Sequence, residues 1–300
     1  MPPLLRRAAP TGIASFNISA DTLHSMFRIG VNKPFEVLAK PTLKALQDRF
    51  QGVEYLIVDE KSMVGLAMWG RIHNRLCEIR PERADRALPG PDRTDGGPGP
   101  FGGINVLIFG DYDQLPCIGD TSVCHAALPI KPAERDSVLK SAGQDAMRAF
   151  TSGATLLQQQ RQRGNDPAQV AFRAAIAGVC AGSPTHEHIA TLRSRQLDHL
   201  SPAERAPFAD ALHVFPTRAA VAAHNSRRLL ERTDDGVFVP IVRMPARHTG
   251  PAATARAKND DDGGLEAELC LAEHGTRAMC RRNLWTAMGL TNGTMVEIGS

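Results

Sequence analysis

Two short apolar runs that are each followed by acidic residues constrain the fold of this chain more than any other feature. Residues 53–58 and 104–109 are rich in β-branched side chains and short, a pattern typical of buried parallel strands. The first run ends at Asp59 and Glu60, and the second is followed within two residues by Asp111. Because the carboxyl ends of parallel strands open into the ligand crevice of such a sheet, we expect these acids to share one site.

The remaining pattern predicts α/β domains with parallel sheets. Apolar residues with helical spacing at 43–50 and 66–79 alternate with the apolar runs, as they do in domains of this class. A chain of 300 residues is long enough for one large or two medium domains. We place the division near residue 150, which gives a first domain over 1–150 and a second over 151–300.

Local signals add detail on either side of that division. The stretches 81–103 and 245–264 are rich in Pro and Gly and poor in large apolar residues, so we predict flexible surface insertions. In the second domain, residues 201–204 have the sequence of a capping box with Pro at the first helical position. Thr217 follows an apolar run at 211–215 and is predicted to cap a helix.

Composition excludes several classes of protein. No apolar run approaches the roughly 20 residues that span a bilayer, and the N-terminus lacks the form of a secretory signal, so we predict an intracellular protein with no membrane partner. The formal net charge of +3 does not by itself indicate a nucleic-acid partner. The six cysteines include no Cys-x-x-Cys pair, which argues against a zinc ribbon.

The acidic ends of the two runs are suited to phosphoryl chemistry. Asp59 can hold Mg²⁺ through water, and Glu60 can orient or deprotonate the water that attacks a phosphoryl group. Gln114 offers both a donor and an acceptor, which suits the sensing of a γ-phosphate. Either acidic pair could instead cap a following helix. Two neighbouring strands that end in this way are harder to explain as two independent caps.

These residues resemble the motifs of superfamily-1B DNA helicases of the Pif1 type. The segment Val-Asp59-Glu60-Lys-Ser-Met63 is similar to the Walker B motif of that family, and the segment 110–116 is similar to its third motif. Further matches occur in the family's order and cover nearly the whole chain. They are the DNA-contacting segment at 9–14 and 22–25, the fourth motif at 157–162, and later landmarks at 216–218, 225, 282–285 and 289–294.

The resemblance implies a fold and a set of nucleotide-binding residues. The fold would be two RecA-like α/β domains with parallel sheets, of the P-loop NTPase type, both incomplete. ATP and Mg²⁺ would be the cofactors, with Asp59 at the metal and Glu60 activating the water. Gln114 would contact the γ-phosphate, and Arg161 would act as an arginine finger from the second domain. An ordinary surface arginine is the alternative for Arg161.

The same resemblance implies contacts with single-stranded DNA and with duplex junctions. Thr11 and Gly12 would contact the DNA backbone through a hydroxyl and a closely approaching peptide. His24 and Ser25 belong to the same segment, and His24 would stack on a base or bond a phosphate. A buried structural histidine is the alternative for His24.

Two parts of the family pattern are not found in these 300 residues. The phosphate-binding loop, which ends in Gly-Lys-Thr or Gly-Lys-Ser, would precede Ala9, yet none of the eight residues there forms it. The family's His-Lys-Ser-Gln-Gly and closing Ser-Arg motifs would follow Ser300. We therefore expect this stretch alone to hydrolyse ATP poorly, since the lysine and amide cradle stabilises most of the triphosphate charge.

The function implied is ATP-dependent 5′ to 3′ unwinding of DNA in repair, recombination or telomere maintenance, in the nucleus or mitochondrion if the source is eukaryotic. One alternative is a binding module that holds single-stranded DNA without hydrolysing ATP. Another is an unrelated Mg²⁺-dependent phosphohydrolase built on Asp59, Glu60 and Asp111. The sequence leaves the oligomeric state open.

Overall fold

The chain forms two compact units, which the computed structural model describes over most of their length. The first unit comprises Met1–Gly153 with His274–Ser300, and the second comprises Ala154–Glu273. The residues that the structure describes are 4–31, 33–81, 99–125, 127–231, 233–234, 237–245, 268–272 and 275–298. Residues 82–98 and 246–264, which make up most of the two predicted insertions, lie outside the described residues.

The first unit is built on a four-stranded parallel sheet, which confirms the predicted α/β class. Its strands are β1 (Leu5–Ala9), β2 (Asp21–Thr22), β3 (Tyr55–Val58) and β4 (Asn105–Ile108), in the spatial order β2-β1-β3-β4. All three pairings are parallel. Its helices are α1 (Gly12–Asn17), α2 (Leu23–Met26), α3 (Lys40–Phe50), α4 (Leu66–Ile79) and α5 (Ser137–Arg148).

The core of the first unit lies around α4 and the central strands. Leu56 and Val58 on β3 are fully buried, as are Trp69 and Ile72 on α4. Phe101 joins this core, with its ring centroid 6.1 Å from that of Trp69. Phe101 falls within the stretch 81–103 that the sequence predicted to be a flexible insertion, and that prediction is wrong at 99–103. The sequence-based prediction gave no weight to Phe101, whose burial removes a large apolar surface from water.

Helices α4 and α5 cross at a contact between two glycines. A Cβ atom at Gly70 would lie 1.9 Å from the Leu139 carbonyl oxygen, and one at Gly143 would lie 1.9 Å from the Leu66 carbonyl oxygen. No side chain fits at such a distance, so both positions require glycine. The contact holds α5 directly against the helix that follows the Asp59–Glu60 segment.

A C-terminal hairpin completes the first unit. Its strands β9 (Thr276–Met279) and β10 (Met295–Ile298) pair antiparallel, and residues 280–294 connect them. The hairpin packs on α1, where a Cβ at Gly12 would lie 2.3 Å from Asn283 Oδ1. The sequence-based division placed these residues with the second domain, whereas in the structure they group with residues 1–153.

The second unit consists of helices and short antiparallel strand pairs. Its helices are α6 (Pro167–Cys180), α7 (His186–Arg193), α8 (Pro202–Arg205) and α9 (Arg218–Leu230). Its strands pair as β5 (Thr233–Asp234) with β6 (Val237–Phe238) and as β7 (Ile241–Pro245) with β8 (Glu268–Ala272). The capping box at Ser201 and the N-cap at Thr217 form as predicted.

The parallel sheet predicted for the second domain is not among the described residues of this unit. The apolar run 211–215 forms no strand there, and Leu212 and Val214 are 66% and 88% exposed. Neighbouring strands that would cover these side chains are not present in the described part of the unit. Within that described part of the chain, no helix is both long enough and apolar enough to cross a membrane.

Candidate functional site

The ends of β3 and β4 bring the two acidic segments together, as the sequence predicted. Val58 pairs in register with Ala8 on one side and with Ile108 on the other, so β3 is an interior strand. Beyond the strands, the Asp59 N–H donates to the Ala8 carbonyl at 3.0 Å, and the Lys61 N–H donates to the Phe109 carbonyl at 2.8 Å. The Walker B-like segment is therefore held from both sides where it leaves the sheet.

Glu60 has an unusual backbone conformation at this edge. Its φ and ψ of 54° and 49° lie in the left-handed region, which residues other than glycine seldom adopt. Such a conformation costs on the order of 1–3 kcal/mol and is found most often where function requires it. The Glu60 N–H donates to Asp59 Oδ1 at 2.9 Å, so the two acids are also linked to each other. The sheet's hydrogen bonds on each side stabilise this turn.

Gly110 allows the third-motif segment to pass close to Glu60. Its φ of 139° is in the region that favours glycine. A Cβ at this position would also lie 2.6 Å from the Lys61 nitrogen and 3.3 Å from the Glu60 carbonyl carbon. Conformation and space both require glycine, and the loop that carries Asp111 and Gln114 consequently starts beside the two acids.

An ion–aromatic contact links the same two segments. Lys61 Nζ lies 4.5 Å from the centroid of the Tyr112 ring, a distance at which an ammonium group is attracted to the π face. Partial burial raises the pKa of the Tyr112 hydroxyl, and Cys124 adds to the rise, so the ring is uncharged at neutral pH. In the loop, the Asp113 N–H donates to Asp111 Oδ1 at 2.9 Å, while Gln114 is exposed.

The donor set at this edge fits a magnesium ion that is shared with a nucleotide. The described residues contain no group of three or more His, Cys, Asp or Glu that could hold a metal ion by itself. Mg²⁺ in phosphoryl-transfer sites is commonly bound by one or two carboxylates together with phosphate oxygens and water. Asp59 is half-buried and at the strand end, which suits it to that role.

Asp120 fastens the third-motif loop to the start of α4. Its carboxylate accepts from the N–H groups of Ala67 and Met68, each at 3.1 Å, and from that of Thr121 at 2.7 Å. The first N–H groups of a helix have no partner within the helix, and a carboxylate there also complements the helix dipole. No local sequence pattern marks Asp120, because it caps a helix that begins more than fifty residues earlier in the chain.

The predicted DNA-contacting residues Thr11 and Gly12 lie at the start of α1. Thr11 caps this helix, with its Oγ1 accepting from the Ala14 N–H at 3.3 Å. Gly12 is buried beneath Asn283 of the C-terminal hairpin. Asn283 Oδ1 also accepts from the Asn292 N–H at 2.9 Å. The close approach at Gly12 is therefore made by another part of the protein, while Thr11 is partly accessible.

His24 and Ser25 lie on α2, directly after β2. His24 is half-buried, and burial lowers the pKa of its imidazole, with Arg71 lowering it further. The ring is therefore neutral at pH 7 and would stack or hydrogen-bond rather than act as a cation. Ser25 is exposed, and its N–H donates to the Thr22 hydroxyl that caps the helix.

Arg161 lies in the second unit, in the stretch before α6. Its side chain is exposed. The stretch that follows it is shaped by Arg173, whose Nη1 donates to the carbonyls of Gln162 and Gly164 at 3.0 and 2.9 Å. The structure thus places Arg161 on a loop organised from α6, and its role as an arginine finger stays a prediction.

The comparisons with known proteins point to one family. Residues 5–129, which contain the whole sheet-edge site, match the model of the PIF1-like helicase family. The chain is 29% identical over 229 residues to an ATP-dependent DNA helicase PIF1 of Emericella nidulans, covering 74% of this chain and 25% of that protein. It is 32% identical over 114 residues to the Pif1 helicase of Psychrobacter sp., covering 37% of this chain and 15% of that protein.

Solved structures show the same fold. The Pif1 helicase of Candida albicans matches 99% of this chain with a TM-score of 0.62 at 20% identity, and this chain covers 58% of it. A structure of two Pif1 helicases that coordinate DNA unwinding at forked duplex DNA matches with a TM-score of 0.58 at 20% identity, covering 99% of this chain and 61% of that one. The chain spans about a quarter or less of the two curated relatives above. With the helicase motifs in order and the sheet-edge site inside the matched segment, residues 5–129 of this chain are similar to the PIF1-like helicase family.

Proposed function

We propose that this chain is part of an ATP-dependent DNA helicase motor. The observation that carries the proposal is the pair of adjacent parallel strands that end in Asp59-Glu60 and in Gly110-Asp111, with Glu60 held in a left-handed turn between them. The curated relatives are named ATP-dependent DNA helicases, which supports the same activity here. Pif1 structures bound to single-stranded DNA and at a DNA fork support single strands and duplex junctions as partners.

In this motor the sheet-edge residues bind the nucleotide and handle the attacking water. Asp59 would hold Mg²⁺, which when bound neutralises charge that develops on the phosphates. Glu60 would orient the water and accept its proton, because its left-handed turn fixes its backbone at the strand end. Gln114 would contact the γ-phosphate from the exposed loop that Gly110 places beside Glu60.

The remaining predicted residues complete the motor. Thr11, Gly12, His24 and Ser25 would lie along the path of single-stranded DNA, with Gly12 acting through the start of α1 because it is itself buried. Arg161 would stabilise transition-state charge from a second RecA-like domain that begins near residue 150. Movement along DNA would be 5′ to 3′, in repair, recombination or telomere maintenance. The location would be the nucleus or mitochondrion if the source is eukaryotic.

The test is a chimaera in which these 300 residues replace the corresponding segment of the Candida albicans Pif1 helicase. We expect DNA-stimulated ATP hydrolysis by the chimaera and a loss of about 10²- to 10⁴-fold in kcat for Glu60→Gln, the range for removal of a general base. DNA affinity should not change. Asp145→Asn, at an exposed carboxylate on α5 outside the proposed site, is the matched control and should retain full activity.

Turnover by Glu60→Gln within a few-fold of the parent chimaera would contradict the proposed role of the acids. The 300 residues on their own are a second test, since they contain no Gly-Lys-Thr or Gly-Lys-Ser sequence. We expect them to bind single-stranded DNA, to bind ATP very weakly and to show no DNA-stimulated turnover. Repeated turnovers that Glu60→Gln abolishes would mean that another segment provides the phosphate cradle.

A further inference from the structure

The C-terminal hairpin exposes one of the chain's two tryptophans. Trp285 is 60% exposed, and its neighbours Leu284 and Met288 are 70% and 63% exposed. The other tryptophan, Trp69, is fully buried in the core. A large aromatic side chain left in solvent together with apolar neighbours typically marks a binding surface. We call the exposed side chains of Leu284, Trp285 and Met288 the hairpin patch.

The backbone beneath the hairpin patch is cross-linked by hydrogen bonds within the loop. The Trp285 N–H donates to the Leu290 carbonyl at 2.9 Å, and the Leu290 N–H donates back to the Trp285 carbonyl at 3.1 Å. Gly289 closes the turn with a φ of 81°, and the Thr294 hydroxyl donates to its carbonyl at 2.6 Å. A ligand that stacks on Trp285 therefore pays little to order the loop.

The hairpin patch lies beside the helix that begins at Thr11. Three close contacts seat the hairpin on α1: Asn283 over Gly12, Gly289 against the Phe16 ring, and Gly293 against Ile13 Cδ1. Phe16 and Ile13 remain 47% and 41% exposed. A strand of DNA whose backbone is bound at Thr11 consequently has aromatic and apolar side chains next to it.

The charge of the hairpin favours a polyanion over an apolar peptide as the ligand. Residues 275–298 contain the three arginines Arg277, Arg281 and Arg282 against the single acid Glu297, a formal net charge of +2. These arginines also interact with other groups of the protein. They therefore contribute positive electrostatic potential at this surface and are not counted as unpaired side chains. Positive charge combined with an exposed aromatic ring is the combination that binds single-stranded nucleic acid.

We propose that Trp285 stacks on an unpaired base of single-stranded DNA bound across α1 and the C-terminal hairpin. The proposal rests on the proposed function and extends it from backbone contacts to a specific base contact. Bases in a duplex already stack on one another, so the contact selects for a single strand. Trp285 would act as a DNA-binding residue outside the motifs that the sequence identified as contacting DNA.

The two tryptophans provide a direct measurement on the 300-residue chain. An unlabelled oligothymidine of about 15 nucleotides, near the upper end of single-strand site sizes, is titrated while tryptophan emission is recorded. Because Trp69 is fully buried, quenching reports on Trp285. We expect quenching to saturate together with binding measured by anisotropy of a labelled oligonucleotide, and acrylamide access to Trp285 to fall in the complex.

Variants separate stacking from other effects. Trp285→Leu should weaken binding by about 5- to 150-fold, the range for loss of one stacked base, and Trp285→Phe should lose much less. Val138→Ala removes an exposed apolar side chain on α5 of the same unit and should bind as the parent does. Circular dichroism checks that each variant is folded.

Three results would overturn the proposal. Binding of Trp285→Leu within twofold of the parent, or an acrylamide-accessible Trp285 in the saturated complex, refutes stacking while single-strand binding and the proposed function stand. An equal affinity for duplex of the same length refutes selection of a single strand by this contact. If the parent chain binds no single-stranded DNA at all, the DNA-binding part of the proposed function fails together with this inference.

Discussion

The sheet edge around Asp59 and the loop around Arg161 both carry helicase-like motifs, yet the first is held by bonds to neighbouring strands and the second is an exposed loop. Asp59 and Lys61 are each bonded to a neighbouring strand, so the Walker B-like segment has one position relative to the third motif. Arg161 is exposed on a loop that is bonded to α6 through Arg173 and through the N-cap Asp166. The difference shows that the positions of motif residues are fixed when the motif lies at the end of a packed strand.

The cores of the two units explain this contrast. Every residue of β3 except Tyr55 is buried or half-buried, and α4 covers the sheet with Trp69 and Ile72. Among the described residues of the second unit, the buried apolar side chains are Ala175, Leu200 and Leu271. A unit with so little buried apolar surface in its described part relies on local hydrogen bonds, such as helix caps, for its order.

The prediction with the largest expected effect tests whether Arg161, despite its exposed loop, is as important for catalysis as the acids at the sheet edge. In the chimaera described above, Arg161→Ala should lower DNA-stimulated ATP turnover by about 10³- to 10⁵-fold, as loss of an arginine finger does in related systems. Arg161→Lys should restore little, because an ammonium group lacks the planar fork of guanidinium. Steady-state ATPase assays at saturating DNA measure both variants.

Arg163 supplies the matched control for Arg161. It lies two residues later on the same exposed loop, and Arg163→Ala should leave turnover within a few-fold of the parent. If Arg161→Ala behaves like Arg163→Ala while DNA affinity is unchanged, Arg161 is an ordinary surface residue. The loop would then be an ordinary surface loop, and the resemblance of residues 157–162 to the fourth motif would not imply a catalytic role for Arg161.

What the sequence could predict follows the same division. Short-range patterns were sufficient for α4, whose predicted bounds of 66–79 match the structure, and for the capping box at Ser201. The adjacency of β3 and β4 was also predictable, because parallel strands in this class place their carboxyl ends together. The apolar run 211–215 was not enough to predict a strand, since strand formation depends on partners that the local sequence does not contain.

Contacts between residues distant in sequence leave no local pattern from which they could be predicted. Asp120 caps α4 across more than fifty residues, and the hairpin reaches α1 across more than 270. Neither Asp120 nor Asn283 has a local pattern that distinguishes it from a loop residue. By sequence alone, Gly70 and Gly143 are residues of low helix propensity within helices. The close crossing of α4 and α5 is what shows why glycine is required at both positions.

A second prediction sharpens the comparison by testing one helix glycine in each unit. Gly70→Ala should destabilise the first unit by about 1–3 kcal/mol or more, because the added Cβ would lie 1.9 Å from a backbone carbonyl and the helices must separate. At Gly178 in α6, a Cβ would lie 2.2 Å from Nδ1 of the His188 ring. If His188 rotates away, it loses the exposed hydrogen bond that Nδ1 accepts from the Thr185 N–H, worth about 0.5–1.5 kcal/mol, while alanine favours the helix by up to about 1 kcal/mol, so Gly178→Ala should be close to neutral.

Urea unfolding measures both glycine variants. Emission of the buried Trp69 follows the first unit, and circular dichroism follows the helices of both. Gly153→Ala, where a Cβ would meet nothing within 4 Å, is the control for the substitution itself. Equal midpoints for Gly70→Ala and Gly153→Ala would show that α4 and α5 do not cross as closely as the structure indicates.

A third prediction concerns the cap that Asp120 provides to α4. Asp120→Ala leaves the N–H groups of Ala67, Met68 and Thr121 without their acceptor and should cost about 1–2 kcal/mol of stability, the upper part of the range for a lost N-cap. Asp120→Asn keeps one acceptor oxygen and should cost less. Asp145→Ala, at an exposed carboxylate on α5, should have almost no effect on the unfolding midpoint.

The smallest expected effect lies in the second unit, at the capping box of α8. The pKa of Glu204 is lowered, first by the Ser201 peptide N–H, then by the Ser201 hydroxyl, with Arg195 contributing as well. Because the folded-state pKa lies below the unfolded one, the carboxylate stabilises the cap above the ordinary glutamate pKa of about 4.3, and this contribution is lost as pH falls through the folded value. Ser201→Ala removes the hydroxyl but keeps the peptide N–H, so the pKa of Glu204 should rise only part of the way to its ordinary value. Titration of the Glu204 carboxyl by NMR in both proteins measures this. An ordinary Glu204 pKa in the parent would mean that the cap does not form in solution, and that the second unit lacks even the local order on which its described part depends.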